Sequence, residues 1–267
     1  MTLRDRALTL LCLSDPQAKC AAVHQLSADA STGVWGEDAI LEAPEHLALP
    51  GRPERPRLVP AVSVPHRSPF TPEGLAALVH SIAHIEFNAI NLALDAVWRF
   101  PHMPTAFYRD WLRVADEEAQ HFGLLLAELL AMGHGYGDFE AHDGLWAMCV
   151  KTQDDITARM ALVPRTLEAR GLDATPLIQA KLRKVGTPAA LRTVAVLDVI
   201  LREEIGHVAI GNHWYGWLCQ RQGLDPVVHY RVLARTHAAP RLKPPFNDAA
   251  RLAAGFSQVE LDYLLSA

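Results

Sequence analysis

Two four-residue patterns, Glu118-Ala119-Gln120-His121 and Glu204-Ile205-Gly206-His207, interrupt the apolar stripes of two long helical segments. In each, a carboxylate and an imidazole stand at positions i and i+3, one turn apart on one helix face. The first stripe is Trp111, Val114, Glu118, His121, Leu125 and Leu129; the second is Val194, Leu197, Leu201, Glu204, His207 and Gly211. A carboxylate inside a helical core costs several kcal/mol, roughly, unless it is paired or bound to a cation. A fold that buries both patterns must therefore supply partners for them.

Two more segments complete a set of four. Residues 71–100 open on Thr71-Pro72-Glu73, a capping threonine followed by proline at the first helical position. Their stripe, Leu75, Val79, Ile82, Glu86, Ala89, Ala93 and Val97, again holds one carboxylate. A third helix is predicted from about residue 145, with Cys149, Ile156, Met160, Val163 and Leu167 on its seam and a kink at Pro164. Gly171 reads as a break and Thr175-Pro176 as a restart, making 176–185 a separate short piece. Gly186-Thr187-Pro188 opens the last long helix, ending near Gln222.

Spacing ranks the remaining ligands and leaves the choice on the third helix open. Glu86 precedes Glu118 by 32 residues, and Glu168 precedes Glu204 by 36. At 1.5 Å rise per residue, about 16 to 18 residues out and the same back return an antiparallel pair to one level. Asp154 and Asp155 are alternatives to Glu168, but they lie about 50 residues before Glu204 and fit this arithmetic less well. Glu117 is a fallback, four positions from His121, and Glu203 is a neighbour of a proposed ligand. Two Glu-x-x-His pairs plus one Glu from each of two other helices are the inward-facing ligand set of ferritin-like di-metal carboxylate bundles. Salt-bridged surface glutamates are the bland alternative, and the duplication of the pattern argues against it.

Around this core the chain has two other parts. Residues 2–28 are helical with a break at Asp15-Pro16. Prolines at 44, 50, 53, 56, 60, 65, 69 and 72 then forbid a long helix and favour an extended arm. Leu58, Val59, Val62 and Val64 suggest that the arm lies on a larger body. Residues 223–267 hold a helical stretch near 226–234 and an amphipathic end, with Asn247 and Arg251 expected to dock this tail. The expected organisation is residues 1–70 as a helical pair and arm, 71–222 as the bundle, and 223–267 as a packed tail.

His84 shares a face with His80, Asn88, Asn91 and Asp95, read as a polar solvated or inter-segment face. Arg159 and Arg165 are expected either to pair with carboxylates behind the ligands or to be solvated. The six tryptophans are expected in helix packing.

Net charge is −5, and no basic block marks a nucleic-acid footprint, although a local patch within such a total leaves nucleic acid open. The four cysteines form no CxxC and are expected as reduced, packed thiols of a cytoplasmic protein. No signal peptide or membrane span is expected from the sequence.

Several long stretches carry a resemblance: PGRPERPRLV, HSIAHIEFNAINLALDAVWRF, FYRDWLRVADEEAQHF, YGDFEAHDGLW, RMALVPRTLEARGLD, EEIGHVAIGNHWY and PPFNDAARLAAGF. In this order they resemble an uncharacterised ferritin-like family, domain of unknown function 455, from about residue 50 to the end. The resemblance implies an all-α, antiparallel four-helix bundle with a long crossover and wrapping N- and C-terminal segments. It implies metal ligands at Glu86, Glu118, His121, Glu168, Glu204 and His207, and the LEARGLD stretch strengthens Glu168 over the two aspartates. The expected cofactor is a pair of transition-metal ions, iron first and manganese or a mixed pair next. Glu118 and Glu168 are the expected bridges, with His121 and His207 each capping one ion. The expected partners are dioxygen or peroxide and an unidentified substrate, with a homodimer as the expected assembly if any forms. The competing readings are an iron-handling or peroxide-scavenging protein and a non-catalytic helical scaffold.

Overall fold

The computed structural model describes residues 1–266, and its regular structure is helical, with one isolated β-bridge. Eleven α-helices are named among these residues: α1 (Leu3–Leu11), α2 (Pro16–Asp29), α3 (Pro72–Arg99), α4 (Thr105–Ala131), α5 (Gly144–Lys151), α6 (Ile156–Leu162), α7 (Ala169–Val185), α8 (Pro188–Gln222), α9 (Pro226–Thr236), α10 (Asp248–Ala253) and α11 (Gln258–Ser266). A π-helical segment, Val163–Glu168, joins α6 to α7. The chain forms two units, residues 1–144 with 187–193, and residues 145–186 with 194–267.

The first unit is built on the α3–α4 hairpin. Thr71 Oγ1 accepts from the Gly74 amide at 3.1 Å, and Pro72 fills the first turn, so α3 starts where the sequence predicts. The link at 100–104 is short, which forces α4 back along α3. α1 packs on α3 and α2 on α4. Two buried cations tie these layers by the carbonyls that helix ends leave unpaired. Arg4 donates to Val97 O and Trp98 O at the end of α3, and to Gly36 O, Glu37 O and Ala39 O. Lys19 Nζ donates to Leu11 O, Gly51 O and Asn91 Oδ1.

The proline-rich arm docks on this unit, but the apolar residues expected to carry it do so unequally: Val59 and Val64 are half-buried. Val62 is 96% exposed and Leu58 37%. Backbone pairing adds to them: Val59 N donates to Ala141 O and Ala141 N to Arg57 O. Arg52 grips Asp143 through both terminal nitrogens at 2.9 and 2.6 Å.

The polar face of α3 is buried, so it is an inter-segment face and not a solvated one. His80, Asn91 and Asp95 are fully buried, and His84 and Asn88 nearly so. His84 Nδ1 lies 2.8 Å from the Tyr136 hydroxyl, and His80 Nε2 accepts from Gly137 N at 2.9 Å. Burial pulls the His80 imidazole from 6.5 down to about 4. Because that folded value lies below the unfolded one, the contribution of neutral His80 is full above about pH 6.5. It is lost as pH falls towards 4, when Nε2 takes a proton and evicts the Gly137 amide. Urea unfolding between pH 6.5 and 4.5 should therefore show a stability loss that is shallower in His80→Gln; equal slopes would contradict this.

The second unit corrects three expectations about the third helix. It does not run unbroken from residue 145: α5 ends at Lys151, and Asp155 starts α6 by accepting from Thr157 N and Ala158 N. Pro164 gives a π-helical turn in place of a simple kink. Proline has no N–H to continue the α ladder, and Thr166 Oγ1 donates to Ala161 O at 2.8 Å. Gly171 and Pro176 do not divide the next helix, since both lie inside α7. Pro176 supplies no amide to Leu172 O, four residues earlier, and Asn247 Nδ2 donates to that oxygen at 3.1 Å. The C-terminal segment thus repairs the helix it packs on.

The tail docks as expected through Asn247 and Arg251. Arg251 bonds Asp173 at 3.0 and 2.6 Å, and Asn247 N donates to the same carboxylate at 2.9 Å. Ala250, Ala254, Phe256 and Leu261 join Ala169, Leu172 and Val208 in one apolar cluster. Neither Arg159 nor Arg165 is solvated: both are buried. Arg159 caps the end of α5 through Cys149 O and Thr152 Oγ1. Arg165 lies among Tyr215, Tyr230 and Phe256, and pairs with Glu260 and Asn212. Five tryptophans are buried and Trp217 is half-buried. The cysteines are free thiols, and no helix among the described residues is long and apolar enough to cross a membrane.

Candidate metal centre

On α3 and α4 every member of the two apolar stripes is buried, including Glu86, Glu118 and His121. The interrupting polar residues therefore do face inward. His121 Nδ1 stands 3.4 Å from Glu86 Oε2 and 3.4 Å from Glu118 Oε2. The three residues offer ligand atoms within 4.8 Å of one another. Two carboxylates and an imidazole nitrogen in that space can hold a metal ion.

The electrostatics show what the group does with protons alone. Burial, and then the neighbouring Glu118 carboxylate, push the Glu86 carboxyl up to about 8. Burial by itself would lower His121, but its hydrogen bonds and charge interactions with Glu118 and Glu86 raise it to about 11. Protons thus fill the role of a cation between crowded carboxylates. A divalent ion supplies more charge in the same place and displaces those protons.

The second unit repeats the local pattern. On α8, Glu204 and His207 are buried, and His207 Nδ1 faces Glu204 Oε1 at 3.8 Å. Glu204 Oε2 is buried with no hydrogen-bond partner among the described residues. Glu168 is buried at the end of the π-helical segment, 8% exposed. Asp154 and Asp155 are exposed, and Asp155 is engaged as the α6 cap. Glu117 and Glu203 are half-buried, unlike their ligand-candidate neighbours Glu118 and Glu204.

Gly211 is a supporting residue that the sequence reading passed over as a stripe member. A Cβ there would meet Pro164 Cβ and Cγ at 2.6 Å, so only glycine lets α8 approach the π-helical segment. A proline ring is not the far end of a flexible side chain, and such overpacking costs typically about 1–3 kcal/mol. Gly211→Ala is expected to be destabilised by that amount and, by displacing the segment that ends at Glu168, to bind less metal. Gly216→Ala is the control, since nothing lies within 4 Å of its added carbon. Equal metal content and stability in the two variants would contradict the assignment.

The fold and these side chains define an all-helical protein with a buried glutamate–histidine group able to hold a metal ion. The chain belongs to the family described as "Protein of unknown function (DUF455)", whose model matches residues 12–262. It is similar to an uncharacterized protein of Haemophilus influenzae (strain ATCC 51907 / DSM 11121 / KW20 / Rd), 47% identical over 266 residues, covering 96% of this chain and 91% of the relative. No solved structure matches the chain.

Proposed function

We propose that the protein is a ferritin-like di-metal carboxylate oxidoreductase, with iron as the first candidate metal. Glu86, Glu118 and His121 of the first unit would hold one ion, and Glu168, Glu204 and His207 of the second unit would hold the other. The observation that carries the reading is the inward-facing Glu86–Glu118–His121 group, whose Glu-x-x-His geometry recurs at Glu204 and His207. Four buried carboxylates against two imidazoles leave an excess of negative charge, which two divalent cations offset. Both histidines turn Nδ1 towards the carboxylates, and that nitrogen is the one placed to ligate. Two ferrous ions supply together the electrons for reaction with dioxygen or peroxide that one ion cannot.

The reading is tested by expressing the protein with iron available and measuring metal by mass spectrometry, then oxygen uptake by the ferrous-loaded protein. About two iron ions per chain and uptake lost in Glu118→Ala with His207→Ala are expected. Purified protein without any transition metal would sink the proposal. Metal binding without oxygen or peroxide turnover would instead leave an iron-handling protein.

A further inference from the structure

Helix α9 presents an uncovered face to solvent. Its inner side is fixed, because Leu233 is buried and Pro226 O accepts from the Tyr215 hydroxyl at 2.7 Å. The outer side carries Val228, Arg231, Val232 and Arg235, at positions i, i+3, i+4 and i+7, which share one helix face. Val228 is 60% and Val232 42% exposed, and both arginines are exposed. Arg231 rests on the Tyr263 ring, 4.2 Å from its centroid, and Arg235 has no ion pair among the described residues. Residues 226–243 hold Arg231, Arg235, Arg241 and Lys243, and no Asp or Glu.

Two valines set among two arginines call for a surface that offers aliphatic groups and carboxylates together. A polyphosphate would leave the valines against charge, and a lipid surface is met by larger side chains such as Trp, Phe and Leu. The chain itself carries the match. Residues 37–47 hold Glu37, Asp38, Glu42 and Glu45, and no Lys or Arg. Glu37 and Asp38 are engaged by Thr105 and His102. Glu42 and Glu45 are exposed and have no ion pair among the described residues. Beside them Ile40 is 80% and Leu47 46% exposed. Both surfaces are open in the single chain, so a second copy is what can cover them.

We propose that the protein pairs with itself by seating residues 40–47 of one copy on the outer face of α9 of the other. Ile40 and Leu47 meet Val228 and Val232, and Glu42 and Glu45 meet Arg231 and Arg235. In a closed two-fold pair the contact forms twice, once in each direction. Apolar burial supplies the attraction, and the opposed charges select partner and register. The proposal does not rest on the metal reading.

The test is sedimentation of the full-length protein across micromolar concentrations. A species of twice the 29.4 kDa chain mass is expected, and it should weaken as NaCl is raised. Arg231→Glu with Arg235→Glu, and separately Glu42→Lys with Glu45→Lys, should each weaken the pair on the order of 100-fold, because each double change reverses two exposed ion pairs in both contacts. All four side chains are exposed, so the Tm of each variant monomer and its metal content should match those of wild-type monomer. Mixing the two double variants should restore pairing, since basic meets acidic again at both contacts. A chain with all four substitutions should pair with itself. The proposal is overturned by a monomer at every concentration, by a dimer indifferent to both double variants, or by mixed variants that stay apart. A monomer that binds phosphatidylserine vesicles or RNA through Arg231 and Arg235 would give this face to another partner and equally overturn it.

Discussion

Stripping transition metal from the protein should lower its Tm by about 10–20 °C, and Glu118→Ala should roughly halve that difference. A ligand present at 100 times its Kd adds about 2.7 kcal/mol to folding, so two such ions add about 5 kcal/mol. For a chain of this size each kcal/mol moves Tm by roughly 2–4 °C. The gap should also widen as pH rises. In metal-free protein the folded Glu86 carboxyl sits above its usual 4.5, at about 8, and His121 sits above 6.5, at about 11. A folded value above the unfolded one gives stability that is full below the unfolded value and lost as pH rises through the folded one. Metal-free protein therefore weakens between about pH 6.5 and 8, while metal competes better for the same atoms. Scanning calorimetry with and without chelator at pH 6.5 and 8 measures this directly. A gap that narrows with pH would contradict proton–metal competition at these residues.

Arg251→Ala should cost about 3–5 kcal/mol, the range found when one partner of a buried ion pair is removed. Arg251 is fully buried, and its partner Asp173 has only 12% of its side chain exposed. Truncation leaves that carboxylate with the Asn247 amide as its remaining donor and removes a bond to Ala169 O. It also removes the guanidinium from the faces of Phe246 and Phe256. Lysine should rescue little, because it cannot reproduce the two-nitrogen grip. Urea unfolding of Arg251→Ala, Asp173→Ala and the double variant forms a thermodynamic cycle. A coupling below about 0.5 kcal/mol would show that the tail is held by its apolar cluster alone.

Much of the helical framework is legible in the sequence because its signals are local. Thr71-Pro72 starts α3, Pro188 opens α8, and the stripe on α3 is buried as spacing predicts, as is that on α8 except for half-buried Leu201. The inward position of Glu86, Glu118, His121, Glu204 and His207 follows from the same periodicity. Local reasoning fails where a distant residue supplies what the local chain lacks. Pro176 looks like a helix boundary until Asn247 is seen bonding Leu172 O. Arg159 carries the signature of a surface residue, yet carbonyls and hydroxyls from the preceding turn permit its burial. The docking of the arm was legible from its composition, but the means was not. Backbone pairing with Ala141 and the Arg52–Asp143 bond leave no period in the sequence.

We propose one metal ion at Glu86, Glu118 and His121 and a second at Glu168, Glu204 and His207. Diffraction at the iron edge from crystals of iron-loaded protein tests it most directly. The account predicts two anomalous peaks per chain, with Glu86, Glu118 and His121 contributing to one coordination shell and Glu168, Glu204 and His207 to the other, at about 2.0–2.3 Å from the bound atoms. No peak near Glu118 and His121, or a peak that leaves Glu168 and His207 without metal contact, would contradict it.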